Sequence, residues 1–121
     1  MKKLLIPSIF FVLLISFSFA QKPYKVVFYN LENFFDTIND PEVLDDEFTP
    51  DGPKKWNTAK YNKKLNNTER VLFDIAAIDK NYPIVIGVSE VETRGVLEDI
   101  VATPKLAPAN YLSLIHISEP T

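Results

Sequence analysis

Residues 83–92 read "PIVIGVSEVE". A proline opens a short, unbroken apolar run, and two carboxylates two positions apart, Glu90 and Glu92, close it. A run this short, β-branched and without polar alternation predicts a strand over 83–88 covered on both faces, as the strands of a parallel sheet are. Glu90 then stands where the chain leaves that strand at its carboxyl end.

Working outward, "YKVVFYN" at 24–30 is also rich in aromatic and β-branched residues. Its alternation puts Tyr24, Val26, Phe28 and Asn30 on one face and Lys25, Val27 and Tyr29 on the other, which predicts a first strand ending at Asn30. "LENFFDT" follows, with Phe34 and Phe35 expected to tuck a short helical turn against the core. Residues 37–56 hold three prolines, the Asp51-Gly52 turn signal and a concentration of acids, and read as a loop. From Asn57 to Asp79 the apolar residues Tyr61, Leu65, Leu72, Ile75, Ala76 and Ile78 recur mostly at three- and four-residue intervals, with Asn57 or Thr58 as N-cap; this predicts a helix. A second helix is expected from Arg94 to about Ala102, capped by Thr93, before "TPKLAPANY" breaks it.

Strand, long loop, helix, strand, helix is the order of an α/β unit, whose strands pair in parallel through a right-handed crossover. Ligands of such sheets gather at the carboxyl ends of the strands. Asn30 and Glu90 would both lie there.

The 121 residues allow one modest domain or part of one. "MKKLLIPSIFFVLLISFSFAQ" has two lysines, an apolar run from Leu4 to Phe19 and the small-x-small pattern Ser18-Phe19-Ala20, which predicts an export signal at 1–20 cleaved after Ala20. A retained anchor is the alternative, but the run is shorter than the roughly 20 apolar residues of a spanning helix, so no stable membrane anchor is expected. The short signal points to a bacterial protein in the periplasm or outside the cell. There is no cysteine, which excludes a disulfide framework, thiolate chemistry and a cysteine zinc site. Setting aside Lys2, Lys3 and Glu119 leaves 11 basic and 15 acidic residues of the original 13 and 16, net −4. That balance argues against a protein that merely coats nucleic acid. It leaves room for a metal-dependent enzyme, in which a cation offsets carboxylates facing an anionic substrate.

Taken together, "VVFYNLENFFD" and "IVIGVSEVE" resemble the first two motifs of the endonuclease/exonuclease/phosphatase family, from about Tyr24 to Tyr111. The "DDEFTPDG" loop and the tryptophan after it resemble a bacterial branch of that family. The resemblance implies that Asn30 is the active-site asparagine and Glu90 the metal-binding glutamate, both catalytic; Asn33 completes an N-x-x-N of less defined role. It further implies Mg2+, with Mn2+ or Ca2+ as alternatives, and in-line attack of water on a phosphate ester, nucleic acid included among the substrates. A single glutamate suits a hard cation that keeps several waters, and a neutral carboxamide can donate to phosphate without repelling it. The implied fold is a four-layered α/β/β/α sandwich, of which 21–111 would be the amino-terminal part. The family's later Asp-x-Asn and Asp-His pairs do not occur between Glu92 and Tyr111. The chain is therefore expected to be an inactive, poorly folding fragment of a phosphoesterase, the alternatives being a phospholipid or inositol phosphatase and a non-catalytic binding domain on the same scaffold.

The remaining candidates are weaker. Asp45, Asp46, Glu47 and Asp51 miss the ligand spacing of an EF-hand and read as a solvated loop. Glu92 can assist a metal or cap the next helix. Trp56 and the Phe34-Phe35 pair read as anchors, with base stacking as the alternative. "NNT" at Asn66 matches a glycosylation pattern and is read as chance. The final "LSLIHISEPT", 112–121, contains the only histidine, His116, and resembles at every position a translated sequencing adapter. On that reading His116 is not catalytic and the native continuation after Tyr111 is missing; the alternative is a genuine strand over Leu112 to Ile117.

Overall fold

The computed structural model describes residues 23–114. The segment read as an export signal and the tail position His116 lie outside the described residues. Strand β1 (Val26–Phe34) and strand β2 (Val85–Val91) pair in parallel, and helix α1 (Thr58–Ala77) crosses between them; helix α2 (Arg94–Ala102) follows. Short 3-10 turns form at Asp46–Phe48 and Ala107–Ala109. The fold is thus mixed α/β with a small two-stranded sheet, consistent with part of a larger α/β domain.

Both helices start where the sequence places a cap. The Asn57 side chain accepts from the Lys60 N–H, and Thr93 accepts from Val96 N–H, each satisfying a donor that the first helical turn leaves orphaned. α1 buries Tyr61, Leu72 and Ala76, and half-buries Leu65 and Ile75. It ends two residues before the expected stop, and Ile78, expected in the core, is 82% exposed. Lys80 just beyond takes a positive φ, so the chain turns away before Ile78 can pack.

The core joins Tyr61 and Leu72 of α1 to Val96 and Ile100 of α2, with Leu31, Phe34 and Leu106. Val27, Tyr29, Ile86 and Val88 pack against it. These four belong to one face of the sheet, so both helices cover the same side. On the other side Val26 is 68% and Phe28 73% exposed, and Val85 is also exposed. The expectation that β2 is covered on both faces is corrected: its apolar run is covered on one. An unbroken apolar run records the need for two covering layers, and the described residues supply one of them.

Two further corrections concern β1. Tyr24 and Lys25 precede the strand, and it does not stop at Asn30. The register runs from Val26↔Val85 to Asn30↔Ser89, slips, and resumes at Phe34↔Val91. No helical turn forms at "LENFFDT". Glu32 and Asn33 instead adopt left-handed backbone, φ 53° and 59°, making a bulge that returns Phe34 to the ladder fully buried.

Candidate functional site

The bulge and the end of β2 build one constellation. Asn30 folds its side chain back so that Oδ1 accepts from Glu32 N–H at 2.7 Å, an Asx-type turn that replaces the interrupted ladder. This fixes the orientation of the carboxamide and aims Nδ2 at Glu90, where it donates to Oε1 at 2.8 Å. Asn33 N–H donates to the other oxygen, Oε2, at 3.1 Å. Strict alternation would set Glu90 on the face opposite Ser89, the cross-strand partner of Asn30. Glu90 has φ 57°, which takes it out of alternation and lets its carboxylate meet Asn30. Left-handed backbone costs a non-glycine residue about 1–2 kcal/mol, least for asparagine. Three such residues, Glu32, Asn33 and Glu90, converge here.

Lys64 of α1 closes the bulge from above. Its Nζ donates to Glu32 O at 2.6 Å and to Asn33 O at 3.2 Å, so the helix holds both strained peptides. Burial lowers its pKa, opposed by the charges of Glu32 and Glu90. Lys64 and the left-handed pair were missed by the sequence reading. The only available signal was the asparagine at position 33, a residue that tolerates positive φ.

Glu92 does not cap the next helix. Thr93 caps α2, and the Glu92 carboxylate accepts from Asp36 N–H at 2.8 Å, fastening the start of the acidic loop to the end of β2. Burial, and then the nearby charges of Asp36 and Asp45, push its pKa up to about 7, against the Asp36 N–H, which lowers it. Asp45 is 1% exposed; its Oδ2 accepts from Asp40 N–H, while Oδ1 has no hydrogen-bond partner among the described residues. The acidic loop is therefore pinned by Asp45 and not wholly solvated, although Asp46 and Glu47 are exposed as expected. Trp56 is an anchor: its Nε1–H donates to Phe35 O at 2.9 Å and its ring stands edge-on to Phe48, which stacks on Phe35 at 4.0 Å.

The raised pKa sets a pH dependence of stability. Unfolded Glu92 ionises near its ordinary value of 4.5, folded Glu92 near 7, so the folded state holds the extra proton between them. The contribution is intact below about pH 4.5 and is lost as pH rises through 7. Urea midpoints should fall over that window by an equivalent of about 1–2 kcal/mol after solvent screening is allowed for. Glu92→Gln should flatten the fall; an equal fall in both proteins would show that another group titrates.

Chemically, the exposed Glu90 carboxylate uses two of its acceptor positions within the protein and keeps others. Among the described residues no group of three His, Cys, Asp or Glu side chains converges. One carboxylate beside a neutral amide does suit a cation that retains waters and takes phosphate oxygens. A cavity of about 390 Å³ opens alongside, between the end of β1 and α1, and a mostly apolar groove of about 1310 Å³ follows the outer edge of β2.

A carboxylate and a carboxamide are thus locked together at adjacent ends of parallel strands, next to a lysine-bearing helix. The sequence model of the Endonuclease/Exonuclease/phosphatase family matches residues 25–121, and the chain belongs to that family. Members generally hydrolyse phosphate esters and commonly use divalent metals, which makes the chain a hydrolase of the phosphoesterase or nuclease type at the family level. No curated protein and no solved structure matches the chain.

Proposed function

We propose that this chain is the amino-terminal part, 21–111, of an exported, metal-dependent phosphoesterase built as a four-layered α/β/β/α sandwich, with 1–20 its signal and 112–121 an adapter-derived tail. The observation that carries the reading is the Asn30–Glu90 pair, held by Asn33 N–H across a bulge whose strain has no other evident use. In this reading Glu90 holds Mg2+, or alternatively Mn2+ or Ca2+. When bound, the cation supplies charge that stabilises a phosphoryl oxygen as it becomes more negative. Asn30 keeps the Glu90 carboxylate in place with one N–H and has a second N–H for a phosphate oxygen. Lys64 keeps the bulge, and so both side chains, from relaxing.

The second reading is a secreted, non-catalytic binding domain on the same scaffold. One experiment separates them. The genomic locus is sequenced across the Tyr111 codon, and the complete domain and the 121-residue chain are each assayed with bis-p-nitrophenyl phosphate and Mg2+. The enzyme reading expects the missing pairs downstream, turnover by the complete domain that chelation abolishes, and none by the shorter chain. A locus that encodes "LSLIHISEPT" and stops, or a complete domain without turnover, favours the binding domain. Turnover by the shorter chain would refute its inactivity.

A further inference from the structure

α1 presents Lys60, Lys63, Lys64 and Asn67 at helical spacings of three, four and seven from the first, which puts them on one face. That face forms one wall of the 390 Å³ cavity, and Asn30 and Glu32 at the end of β1 form the other. The cavity therefore begins at the residue that grips Glu90. In a chain with more acids than bases, this cavity is lined by three cations, all on the helix wall, against one acid, Glu32, on the facing wall. None of the three lysines forms an ion pair among the described residues. Lys60 donates to Lys54 O and Lys64 to Glu32 O and Asn33 O, so both spend hydrogen bonds on neutral carbonyls; Lys64 also feels the charges of Glu32 and Glu90, which leaves Lys60 and Lys63 as the cations without a nearby counter-charge among the described ion pairs. Lys63 is exposed and has no recorded hydrogen bond. Crowding like charges on one helix turn is unfavourable without a counter-charge. A phosphate in the cavity is such a counter-charge, and the lysines present several donors to it.

We propose that this cavity is a second phosphate subsite, gripping through Lys60 and Lys63 a phosphate group neighbouring the one at Asn30 and Glu90. The substrate class is then a molecule with at least two phosphates, a nucleic-acid strand or a small polyphosphate ester, and not an isolated monoester. The inference rests on the reading of Asn30 and Glu90 as the reacting centre for its role, but not for its detection.

Trp56 lines the cavity and is the only tryptophan, so its fluorescence reports binding directly. The 121-residue chain is titrated with a thymidine tetranucleotide, with inositol hexakisphosphate and with orthophosphate at several salt concentrations. A saturable change is expected with at least one of the first two, and at least about tenfold weaker binding of orthophosphate, which brings one phosphate and so releases fewer counterions. Lys60→Gln with Lys63→Gln should weaken binding about tenfold or more and reduce the salt slope by about 1.4, for two phosphate contacts on a single strand. Both positions are solvent-exposed, and unchanged helical circular dichroism checks that α1 persists. A response to the tetranucleotide alone assigns the subsite to a nucleic-acid strand; to the inositol phosphate alone, to a small polyphosphate. No saturable change with either, or binding that the double variant retains, overturns the proposal. The titration is run without added metal and reads binding rather than turnover, so failure of the Glu90 reading in the hydrolysis assay and failure of the subsite here are separate results.

Discussion

Replacing Glu90 with glutamine in the complete domain is expected to lower kcat/KM for bis-p-nitrophenyl phosphate about 10³-fold, on the order of 4 kcal/mol of transition-state stabilisation. The substitution is nearly isosteric, so the loss isolates charge. Glutamine has a single acceptor oxygen, whereas the carboxylate satisfies Asn30 Nδ2–H with Oε1 and Asn33 N–H with Oε2. One of these donors would face an NH2 group, which adds a local cost to the lost affinity for a cation. Asn30→Ala should be milder, about 10–100-fold, because it removes an orienting bond and one phosphate donor but leaves the anionic ligand. Steady-state kinetics across a Mg2+ titration tell the two apart. The glutamine variant should need far more metal, and the alanine variant should show its loss mainly in kcat. Glu90→Gln retaining more than about a tenth of the activity would place the metal elsewhere.

That Asn30 and Glu90 come together was legible in the sequence because both stand where a strand pattern stops, and the carboxyl ends of parallel strands lie side by side whatever the detail of the loops. The helices were legible for a similar local reason: Asn57 and Thr93 cap them, and capping is decided within four residues. The bulge was not. "NLENFF" loses the two-residue alternation, and the same letters suit a strand end, a helical turn or a slipped ladder. The choice was made by partners about 30 and 60 residues away, Lys64 and Glu90, whose bonds to Glu32 and Asn33 have no trace in the local pattern. The strand's coverage was misjudged for the opposite reason. The run Ile84 to Val88 reads as burial on two faces, but the helices within the described residues pack on one. The same one-sided packing leaves both strands of the described sheet as edges, with Phe28 standing out from the bare face.

Two phenylalanines of β1 should respond in opposite ways to substitution. Phe34 has no exposed surface; it packs with Tyr61 at a ring separation of 5.3 Å and with the Leu31, Leu72 and Val96 cluster. It is also the residue at which β1 rejoins β2 after the bulge. Phe34→Ala should cost about 3–5 kcal/mol, the usual range for emptying a core aromatic site. Domains of ordinary stability have only about 5–15 kcal/mol in total. In the 121-residue chain that loss is expected to abolish the cooperative urea transition read by Trp56 fluorescence, whereas Phe34→Leu should shift it without removing it. Phe28 lies 73% exposed over Gly87, where a Cβ would come within 3.0 Å of its ring. Phe28→Ser removes little buried surface, so its midpoint should stay within about 0.5 kcal/mol, as for other surface substitutions, while light scattering at high protein concentration falls because the bare face loses its largest apolar group. If Phe28→Ser instead destabilised the chain as much as Phe34→Ala, that face would be covered in solution, and the one-sided packing described for this sheet would be wrong.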